Sequence, residues 1–569
     1  MSARSGFLFA GEALVLRRTC VMGRAHKPAL NRYRSTMNSQ HCQTAEPRRS
    51  FSIITVFLLA LLSLRTGEAG SATWLTNPVS GDWNNGLNWS AGGPPNGTAD
   101  TATFNSSTIT SISFSAFTTV DGIIYNPGAS VYTLTTSLSG RLTLDGVGIT
   151  NNSGVTQNFV SSAISGQGGF TFSNSASAGT QGLFTNSGGM SAGQAGGFIE
   201  FFNSSTAANS AYINKGGAVS GAFGGFIEFN DTSSAASATY TNEAGVPSAQ
   251  GGFINFFGSS SGGDAVFVCN GGTASGANAG YIHFFNSSNA GSGMIVANGG
   301  TNGGGGTNLE FQNDSTGGTV RLQLFGNSLL DLFNHTTVTP MTLGSLEGDG
   351  SVFIYGSNLI LGGNNLSTLF SGTISDAGAG GRLTKNGTGT LTLAGTNTYT
   401  GGTTVNAGVL LVQRSSGSGT GTGIVQVTAG TIGGTGRIGG AVTLGNGTGA
   451  RAFLAPGTNG IGTLTIQQKL TCKADATYNF QLHSSRVTSD KVIARGVTIN
   501  SGAMFSASDL ANSTLVAGTN FVAISNAAGS PISGVFSNLA DGSILTVGSN
   551  TFLVDYEGGD GNDLVLTVQ

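Results

Sequence analysis

The chain has 569 residues, of which 94 are glycine and only 9% carry a charge. Such a composition can belong to a disordered chain, but isoleucine, leucine, valine and phenylalanine recur at regular positions and can fill a thin, continuous core. Ten of the 23 basic residues fall within the first 65 positions, so residues 69–569 hold 13 basic and 23 acidic residues. This acidic remainder argues against nucleic acid as a partner.

Residues 1–72 are predicted to be a leader with a signal peptide. The pair Arg48-Arg49 precedes an apolar run at 51–64, which is short for a bilayer span and is followed by small residues. Cleavage is expected after Ala69 or Ala72, and the alternatives are a buried strand or an uncleaved anchor. A start of translation at Met37 is a further hypothesis. We expect the mature chain to be exported, outside the cell or on its surface, without a transmembrane domain.

Residues 73–160 are expected to form an N-terminal cap and the first coils of a β-helix. Trp74, Trp83 and Trp89 lie close together at the start of this region. A solenoid must cover its first open coil, and large aromatic side chains do this well. A carbohydrate-binding cluster is the alternative interpretation of the three tryptophans.

Residues 161–322 contain an internal repeat with a nearly constant period. Each copy has two small residues, then usually an aromatic residue, then an apolar residue, a polar residue and phenylalanine. The copies begin at Gly196, Gly224, Gly251, Ala279 and Gly306, after a degenerate copy, Gly168-Gly169-Phe170. A fixed period of this length is typical of stacked identical units. The sequence therefore predicts an all-β fold, a β-solenoid in the form of a right-handed parallel β-helix with turns of about 28 residues.

Alternation within each copy predicts which side chains are buried. Successive side chains of a strand face opposite sides of the sheet. Because Glu200, Glu228 and His283 must meet water, the residues on either side of each should face the core. The predicted core columns are Ile199, Ile227, Ile254 and Ile282, and beside them Phe201, Phe229, Phe256 and Phe284.

The outward face of the same strands is the candidate ligand-binding face. Its members are Phe198, Glu200, Phe226, Glu228, Phe253, Tyr281 and His283. Aromatic columns beside a polar row can bind sugar rings or an apolar protein surface, so a glycan, a cell-surface polymer or a second copy is the expected partner. The alternative is that the rings turn inward and cap the core. Stacked carboxylates could also act as acid and base, but no Arg or Lys joins them within the repeat, so no catalytic residue is assigned.

A second fixed point of the repeat is a regularly spaced asparagine. These residues are Asn186, Asn214, Asn242, Asn270 and Asn298. Each closes a second strand, and asparagine and glycine tolerate the left-handed backbone that a sharp corner needs. Cys269 and Cys472 lie too far apart along a solenoid for a mutual disulfide, and Cys269 is expected to be a small structural side chain. The sequence shows no metal-ligand spacing and no cofactor fingerprint, so neither is expected.

The solenoid is expected to continue through residues 323–379 and into a distinct segment at 380–412. Residues 381–412 read GRLTKNGTGTLTLAGTNTYTGGTTVNAGVLLV. This text closely resembles the autotransporter-associated β-strand repeat, over Leu383–Leu393 and again over Asn397–Val405. Residues 413–569 resemble the downstream part of such passengers at Ser489-Asp490-Lys491-Val492 and near the end, at 558–563. That last stretch also fits one copy of a calcium-binding nonapeptide, although a hairpin turn is the preferred interpretation.

The resemblance implies a bacterial, exported, β-helical protein of the passenger type. Autotransporters also carry a C-terminal membrane barrel, and the passenger-like text here runs on to Gln569, so no such translocator is expected within this sequence. We predict a structural or adhesin-like binding protein that is not a catalyst. The alternative is an extracellular polysaccharide-active β-helix enzyme, either a lyase or a hydrolase.

Overall fold

The computed structural model describes residues 70–90, 93–137, 140–162, 168–457 and 460–569. The predicted signal sequence lies outside these residues. Within them, regular structure is β-strand except for two short 3₁₀ helices, Gly86–Asn88 and Ser484–Arg486. The strands stack in parallel as a β-solenoid of about 16 turns with a mean spacing near 26 residues. The predicted fold class is therefore confirmed. No helix among the described residues is long and apolar enough to cross a bilayer.

Nine strands form the N-terminal coils. They are β1 (Ala72–Thr73), β2 (Gly97–Phe104), β3 (Ser111–Ser113), β4 (Thr118–Tyr125), β5 (Thr133–Thr136), β6 (Leu142–Asn151), β7 (Gln157–Ser161), β8 (Gly169–Phe172) and β9 (Thr180–Asn186). Trp74, Trp83 and Trp89 are all buried, and the ring of Trp89 lies 5.0 Å from that of Trp74 and 4.7 Å from that of Trp83. Their burial agrees with the cap interpretation and removes them from the surface that a carbohydrate could reach.

Ten strands form the repeat array, two in each coil. They are β10 (Phe198–Phe201), β11 (Asn209–Asn214), β12 (Phe226–Phe229), β13 (Thr239–Asn242), β14 (Phe253–Phe256), β15 (Val266–Cys269), β16 (Tyr281–Phe284), β17 (Met294–Ala297), β18 (Asn308–Phe311) and β19 (Arg321–Leu324). Most of these strands are very short because each coil turns a corner soon after every strand.

Eleven strands follow in the middle of the chain, where the coils shorten. They are β20 (Leu329–Asp331), β21 (Met341–Leu343), β22 (Ser345–Gly348), β23 (Ser351–Phe353), β24 (Asn358–Leu361), β25 (Thr368–Phe370), β26 (Thr373–Ser375), β27 (Arg382–Lys385), β28 (Thr390–Leu393), β29 (Thr403–Val405) and β30 (Val409–Val412). Leu383 pairs with Thr403, so the coil between them is shorter than any coil of the repeat array. Short coils of this kind bring the mean coil length to about 26 residues, below the period of about 28 residues expected from the array.

Sixteen strands complete the chain. They are β31 (Val425–Val427), β32 (Gly430–Gly434), β33 (Arg437–Ile438), β34 (Val442–Leu444), β35 (Ala452–Pro456), β36 (Thr463–Ile466), β37 (Leu470–Cys472), β38 (Ala476–His483), β39 (Thr488–Ser489), β40 (Lys491–Ala494), β41 (Val497–Ile499), β42 (Met504–Asp509), β43 (Asn520–Asn526), β44 (Ile544–Val547), β45 (Asn550–Gly558) and β46 (Asp563–Val568). The last three pair antiparallel, with β46 between β43 and β45.

The strands form four sheets, each running along the stack of coils. The first sheet has the order β1-β2-β4-β6-β8-β10-β12-β14-β16-β18-β20-β23-β26. The second sheet carries the other strands of these coils, from β3 through the odd-numbered strands β5 to β19 and on to β42. The third sheet, β21-β24-β27-β29-β31-β34-β37-β41, begins before the first one ends, and the fourth is β33-β36-β40-β43-β46-β45-β44.

The two predicted core columns are confirmed. Ile199 pairs with Ile227, and the isoleucine column continues through every later copy with no measurable exposure until Leu309. The phenylalanine rings stack nearly parallel, with centroids 4.7 Å apart from Phe201 to Phe229 and 4.8 Å apart from Phe229 to Phe256. This distance matches the strand spacing of a sheet, so each ring packs directly on the next.

The degenerate copy joins the array one residue out of the expected register. Phe170 was expected to align with Phe198, but it pairs with Ile199 and occupies the isoleucine column. Gly169 takes the position opposite Phe198. A Cβ at Gly169 would lie 2.6 Å from the ring of Phe198, so glycine is what allows this ring to fold over the strand before it.

The asparagine column is shorter than the sequence spacing predicts. The Nδ2 group of Asn186 donates to Oδ1 of Asn214 at 2.7 Å, and Asn214 donates likewise to Asn242 at 2.8 Å, all three side chains being buried. The partner of Asn242 is Cys269, because this coil is one residue shorter than the one before it. Asn270 therefore lies one position outside the column, half-buried, and it accepts from Asn298 instead.

The corners after the first-sheet strands use the left-handed backbone that the sequence predicts. Asn203, Asp231, Asn286 and Asn313 have φ between 56° and 58°, and Gly258 takes the same place with φ 65°. The side chain of each non-glycine corner accepts the backbone N–H of the corner before it, as in Asn203 N–H to Asp231 at 2.8 Å. These bonds hold successive coils in register on the side next to the candidate face.

Candidate functional site

The outward face of the first sheet carries three columns of side chains across the repeat array, which we call the outer strip. Its rungs are Phe198, Glu200 and Phe202; Phe226, Glu228 and Asn230; Phe253, Asn255 and Phe257; Tyr281, His283 and Phe285; and Asn308, Glu310 and Gln312. The strands that hold them are fixed from beneath by the isoleucine and phenylalanine columns. The strip is therefore a rigid surface with one rung for each coil.

The first aromatic column stays on the outward side but is only partly exposed. The rings of Phe198 and Phe226 have centroids 5.6 Å apart, and the column continues at 5.0 Å to Phe253 and 4.9 Å to Tyr281. Phe198 is 8% exposed, and the other three are half-buried. The rings pack on one another along the stack, so they neither enter the core nor stand free in solvent.

A basic residue from outside the repeat joins the polar row. Arg141 forms an ion pair with Glu200 and donates to the hydroxyl of Thr171. Its guanidinium carbon also lies 5.3 Å from the ring centroid of Phe198. The strand copies themselves contain no Arg or Lys beside the polar row. Arg141 comes instead from a coil that precedes the array. Nothing in the repeat motif indicates it, because Arg141 lies 59 residues before Glu200.

The carboxyl group of Glu228, on the strand next to Glu200, has a different environment. Glu228 pairs in register with Glu200, and it accepts from Nδ2 of Asn255 at 3.4 Å. Burial raises the pKa of Glu228, the hydrogen bond from Asn255 lowers it, and the charge of Glu200 raises it. The structure thus sets the ion-paired carboxylate of Glu200 beside a carboxyl group whose pKa burial raises.

His283 lies in the middle of the strip between two aromatic rings. Its ring centroid is 4.6 Å from that of Tyr281 and 5.9 Å from that of Phe285. Burial lowers the pKa of His283, while the carboxylate of Glu310 raises it. Nε2 lies 3.6 Å from Oε1 of Glu310 and has no hydrogen-bond partner among the described residues. The imidazole is therefore held in the strip without a bond that fixes its proton.

The polar row continues past the array, which the repeat pattern did not predict. Glu310 accepts from Asn308 at 2.5 Å and from Gln312 at 2.7 Å, and its strand partner on β20 is Asp331. Phe333, Phe353 and Tyr355 follow on the same outward side. The alternation of Leu330 and Leu332 with Asp331 and Phe333 is a signal in the sequence that could have located this extension.

Other candidate groups have structural roles. Residues 558–563 form the turn between β45 and β46, as the hairpin interpretation predicts. Cys269 and Cys472 are free and buried, and burial raises the pKa of each thiol to about 12, which makes them poor nucleophiles. In the segment 383–412, the buried Lys385 donates through Nζ to the carbonyl oxygens of Asn386 at 2.5 Å and Gly387 at 2.9 Å. Burial lowers the pKa of Lys385 to about 8.

The family model of the passenger-associated transport repeat matches residues 383–412. The chain is 41% identical over 110 residues to the adhesin BmaC autotransporter of Brucella suis, which is 19% of this chain and 3% of that protein. It is 35% identical over 135 residues to an extracellular serine protease of Serratia marcescens, which is 24% of this chain and 12% of that protein. The match thus spans a small part of each relative. The expected resemblance is confirmed: the chain is a β-solenoid that carries the passenger repeat of autotransporters.

Proposed function

We propose that this chain is an exported, adhesin-like binding protein and that the outer strip is its contact surface. The passenger repeat at 383–412 and the two relatives, one named an adhesin and the other an extracellular protease, support export as a passenger. Binding, rather than catalysis, is proposed because the most distinctive surface of the described residues is a regular strip repeated on successive coils.

The observation that carries the proposal is the composition of the strip. Stacked rings from Phe198 to Tyr281 lie on one side of the polar row, and Phe257 and Phe285, whose centroids are 4.9 Å apart, lie on the other. Half-buried aromatic surface beside hydrogen-bonding groups suits a sugar ring or the apolar surface of another protein. A glycan or another cell-surface polymer laid along the coils could meet the same chemistry on each rung, and a second copy of the chain is the alternative partner.

One observation favours a second candidate, a polysaccharide-active enzyme. Glu200 and Glu228 face outward on adjacent strands, which lie about 4.8 Å apart; Glu200 is paired with Arg141, and burial raises the pKa of Glu228. Retaining glycosidases place two carboxyl groups about 5–5.5 Å apart, one as acid and base and the other as nucleophile. Against this candidate, Glu200 is held in an ion pair with Arg141, and both groups lie on the outward face of a regular parallel strand ladder.

The test compares two phenylalanine variants of the full-length chain on a glycan array. Phe226→Ser removes the middle of the stacked column, whereas Phe325→Ser removes a ring that is 38% exposed and follows β19 on the second sheet. We expect Phe226→Ser to lose at least about tenfold in binding to the preferred glycan, as removal of a central aromatic anchor does. The Phe325→Ser control should bind as the parent does.

Equal binding by both variants would contradict the proposed surface. Loss of binding together with a collapse of the melting temperature would show that the ring column supports the fold instead. Release of reducing sugar from the bound glycan by the parent, abolished in Glu228→Gln, would favour the enzyme over the adhesin.

A further inference from the structure

The outward face of the first sheet changes character just beyond the repeat array. We infer that Glu310, Asp331, Phe333, Phe353 and Tyr355 form a shallow binding site for an organic ammonium group, which we call the ammonium site. This inference does not depend on the proposed adhesin role, because it concerns a small cation and can be tested on the isolated protein.

Strand register places the two carboxylates and the first ring in consecutive rungs. Glu310 on β18 pairs with Asp331 on β20, and Asp331 pairs with Phe353 on β23. Leu330 and Leu332 are fully buried, so Asp331 and Phe333 between and after them face outward, and Phe333 is 66% exposed.

Tyr355 completes the group of rings. Its centroid lies 5.2 Å from that of Phe333, with the rings nearly perpendicular, and 6.3 Å from that of Phe353. Burial raises the pKa of the Tyr355 hydroxyl, and the charge of Asp331 adds to this. Asp331 pairs in register with Phe353 and its carboxylate accepts the backbone N–H of Phe333 at 2.9 Å, so the group of rings lies beside a carboxylate. Aromatic faces of this kind attract substituted ammonium ions.

The charge at this site is not neutralised within the described part of the chain. None of the four ion pairs found there includes Asp331, and the partner of Glu310 is His283, whose pKa burial lowers. Burial raises the pKa of Asp331, the hydrogen bond that it accepts from the backbone N–H of Phe333 at 2.9 Å lowers it, and the like charge of the neighbouring Glu310 raises it. A bound cation would relieve that repulsion.

The other end of the same face shows what such a cation does. There, the guanidinium of Arg141 lies over the ring of Phe198 and pairs with Glu200, so a carboxylate and a ring share one positive charge. At the ammonium site carboxylates and rings are present, but none of the described ion pairs joins a Lys or Arg to Glu310 or Asp331. An external ammonium would supply the positive charge that Arg141 supplies at the other end.

The backbone of Tyr355 adds an independent observation. Its φ is 44°, in the left-handed region that glycine adopts freely and a bulky residue rarely does. The fold therefore holds a tyrosine where glycine would fit with less strain, and strained positions of this kind cluster at functional sites. What the strained residue contributes here is its ring, set against Phe333 and Phe353.

The experiment is a titration of the full-length chain with tetramethylammonium, followed by saturation-transfer NMR. We expect a Kd on the order of 10 mM, since the site is shallow and each cation–ring contact at an exposed position is weak. The neutral molecule tert-butanol, which has a similar size, should give no saturable signal. A parallel titration with n-butylammonium will show whether a primary ammonium is accepted as well as a quaternary one.

Three variants and a control separate this site from a general attraction to an acidic protein. Asp331→Asn should weaken binding about fivefold or more, whereas Asp560→Asn, at an exposed carboxylate in the final hairpin, should leave it unchanged. Tyr355→Gly should lose binding with a melting temperature equal to or above that of the parent, because glycine accepts the backbone angle, and Tyr355→Phe should retain binding. The inference is overturned if the parent shows no saturable binding, or if Asp331→Asn and Tyr355→Gly bind as the parent does.

Discussion

Glu200 and Glu228 occupy equivalent positions on neighbouring coils, yet the molecule treats them differently. Glu200 pairs with Arg141, which lies in a coil before the array, while Glu228 has the neutral partner Asn255 and a pKa raised by burial. The repeat sets the backbone and the register, but at the first rung a residue from outside the repeat supplies the partner of the carboxylate. Functional differences along a regular solenoid can therefore arise without any change in its core.

His283 should make the stability of the protein depend on pH. Burial holds its pKa below the ordinary value of about 6.5, so the unfolded chain takes up a proton first as the pH falls. The folded state should therefore lose stability as the pH drops below about 6.5, and His283→Gln should reduce that loss. Melting temperatures of parent and variant between about pH 8 and pH 5 test this, and parallel curves would contradict it. Taking the difference between the two proteins cancels the opposite contribution of Asp490, whose pKa burial raises to about 7.

The buried asparagine column should contribute more to the stability of the protein than its half-buried continuation does. Asn214 accepts from Asn186 and donates to Asn242 and to the carbonyl oxygen of Phe253, so Asn214→Ala leaves buried polar groups without partners. We expect a loss of about 2–4 kcal/mol in the free energy of unfolding. Asn270→Ala, just outside the column, is the matched control and should lose less. Equal losses in urea unfolding would show that the column adds nothing beyond ordinary packing.

At the scale of the strand, packing between coils should dominate stability. Phe229 is fully buried and stacks on Phe201 and Phe256, at 4.7 and 4.8 Å. Phe229→Ala should cost about 3–5 kcal/mol through the cavity it leaves. Because each coil depends on its neighbours, amide exchange should accelerate in the adjacent coils as well as in β12. Faster exchange confined to β12 would contradict this coupling.

The strands also show which parts of the fold the sequence could predict. Alternation of apolar and charged residues located the isoleucine and phenylalanine columns, because an outward glutamate determines the face of every neighbour. The same pattern could not place Phe170 or Asn270, since a one-residue change in coil length leaves the motif intact but shifts the register. Nor could it bring Arg141 to Glu200, or Asp331 beside Phe353, because these pairs join coils that do not share the motif.

At the scale of the whole molecule, the match to the passenger repeat implies export from the cytoplasm. The leader expected at 1–72 predicts that mature protein begins near Gly70 or Thr73 and is recovered outside the cytoplasm. Fractionation followed by N-terminal sequencing tests this, with a version lacking residues 51–64 as the control. Full-length protein in the cytoplasm would contradict both the leader and the proposed extracellular role.

The central claim is that successive coils place Glu200 and Glu228 side by side on an outward face, since the outer strip depends on this register. Paired cysteines test it directly, in a chain whose leader cysteines, Cys20 and Cys42, are replaced by serine. Neighbouring strands lie about 4.8 Å apart, within reach of a disulfide, whereas Glu200 and Glu310 are about 19 Å apart across four coils.

The measurement is the rate of disulfide formation in the native protein under mild oxidation. We predict rapid cross-linking of the Glu200→Cys, Glu228→Cys pair and none for the Glu200→Cys, Glu310→Cys pair, with the buried Cys269 and Cys472 unreactive in both. Failure of the first pair to cross-link, or reaction at Ile227→Cys in place of Glu228→Cys, would contradict the register and with it the outer strip.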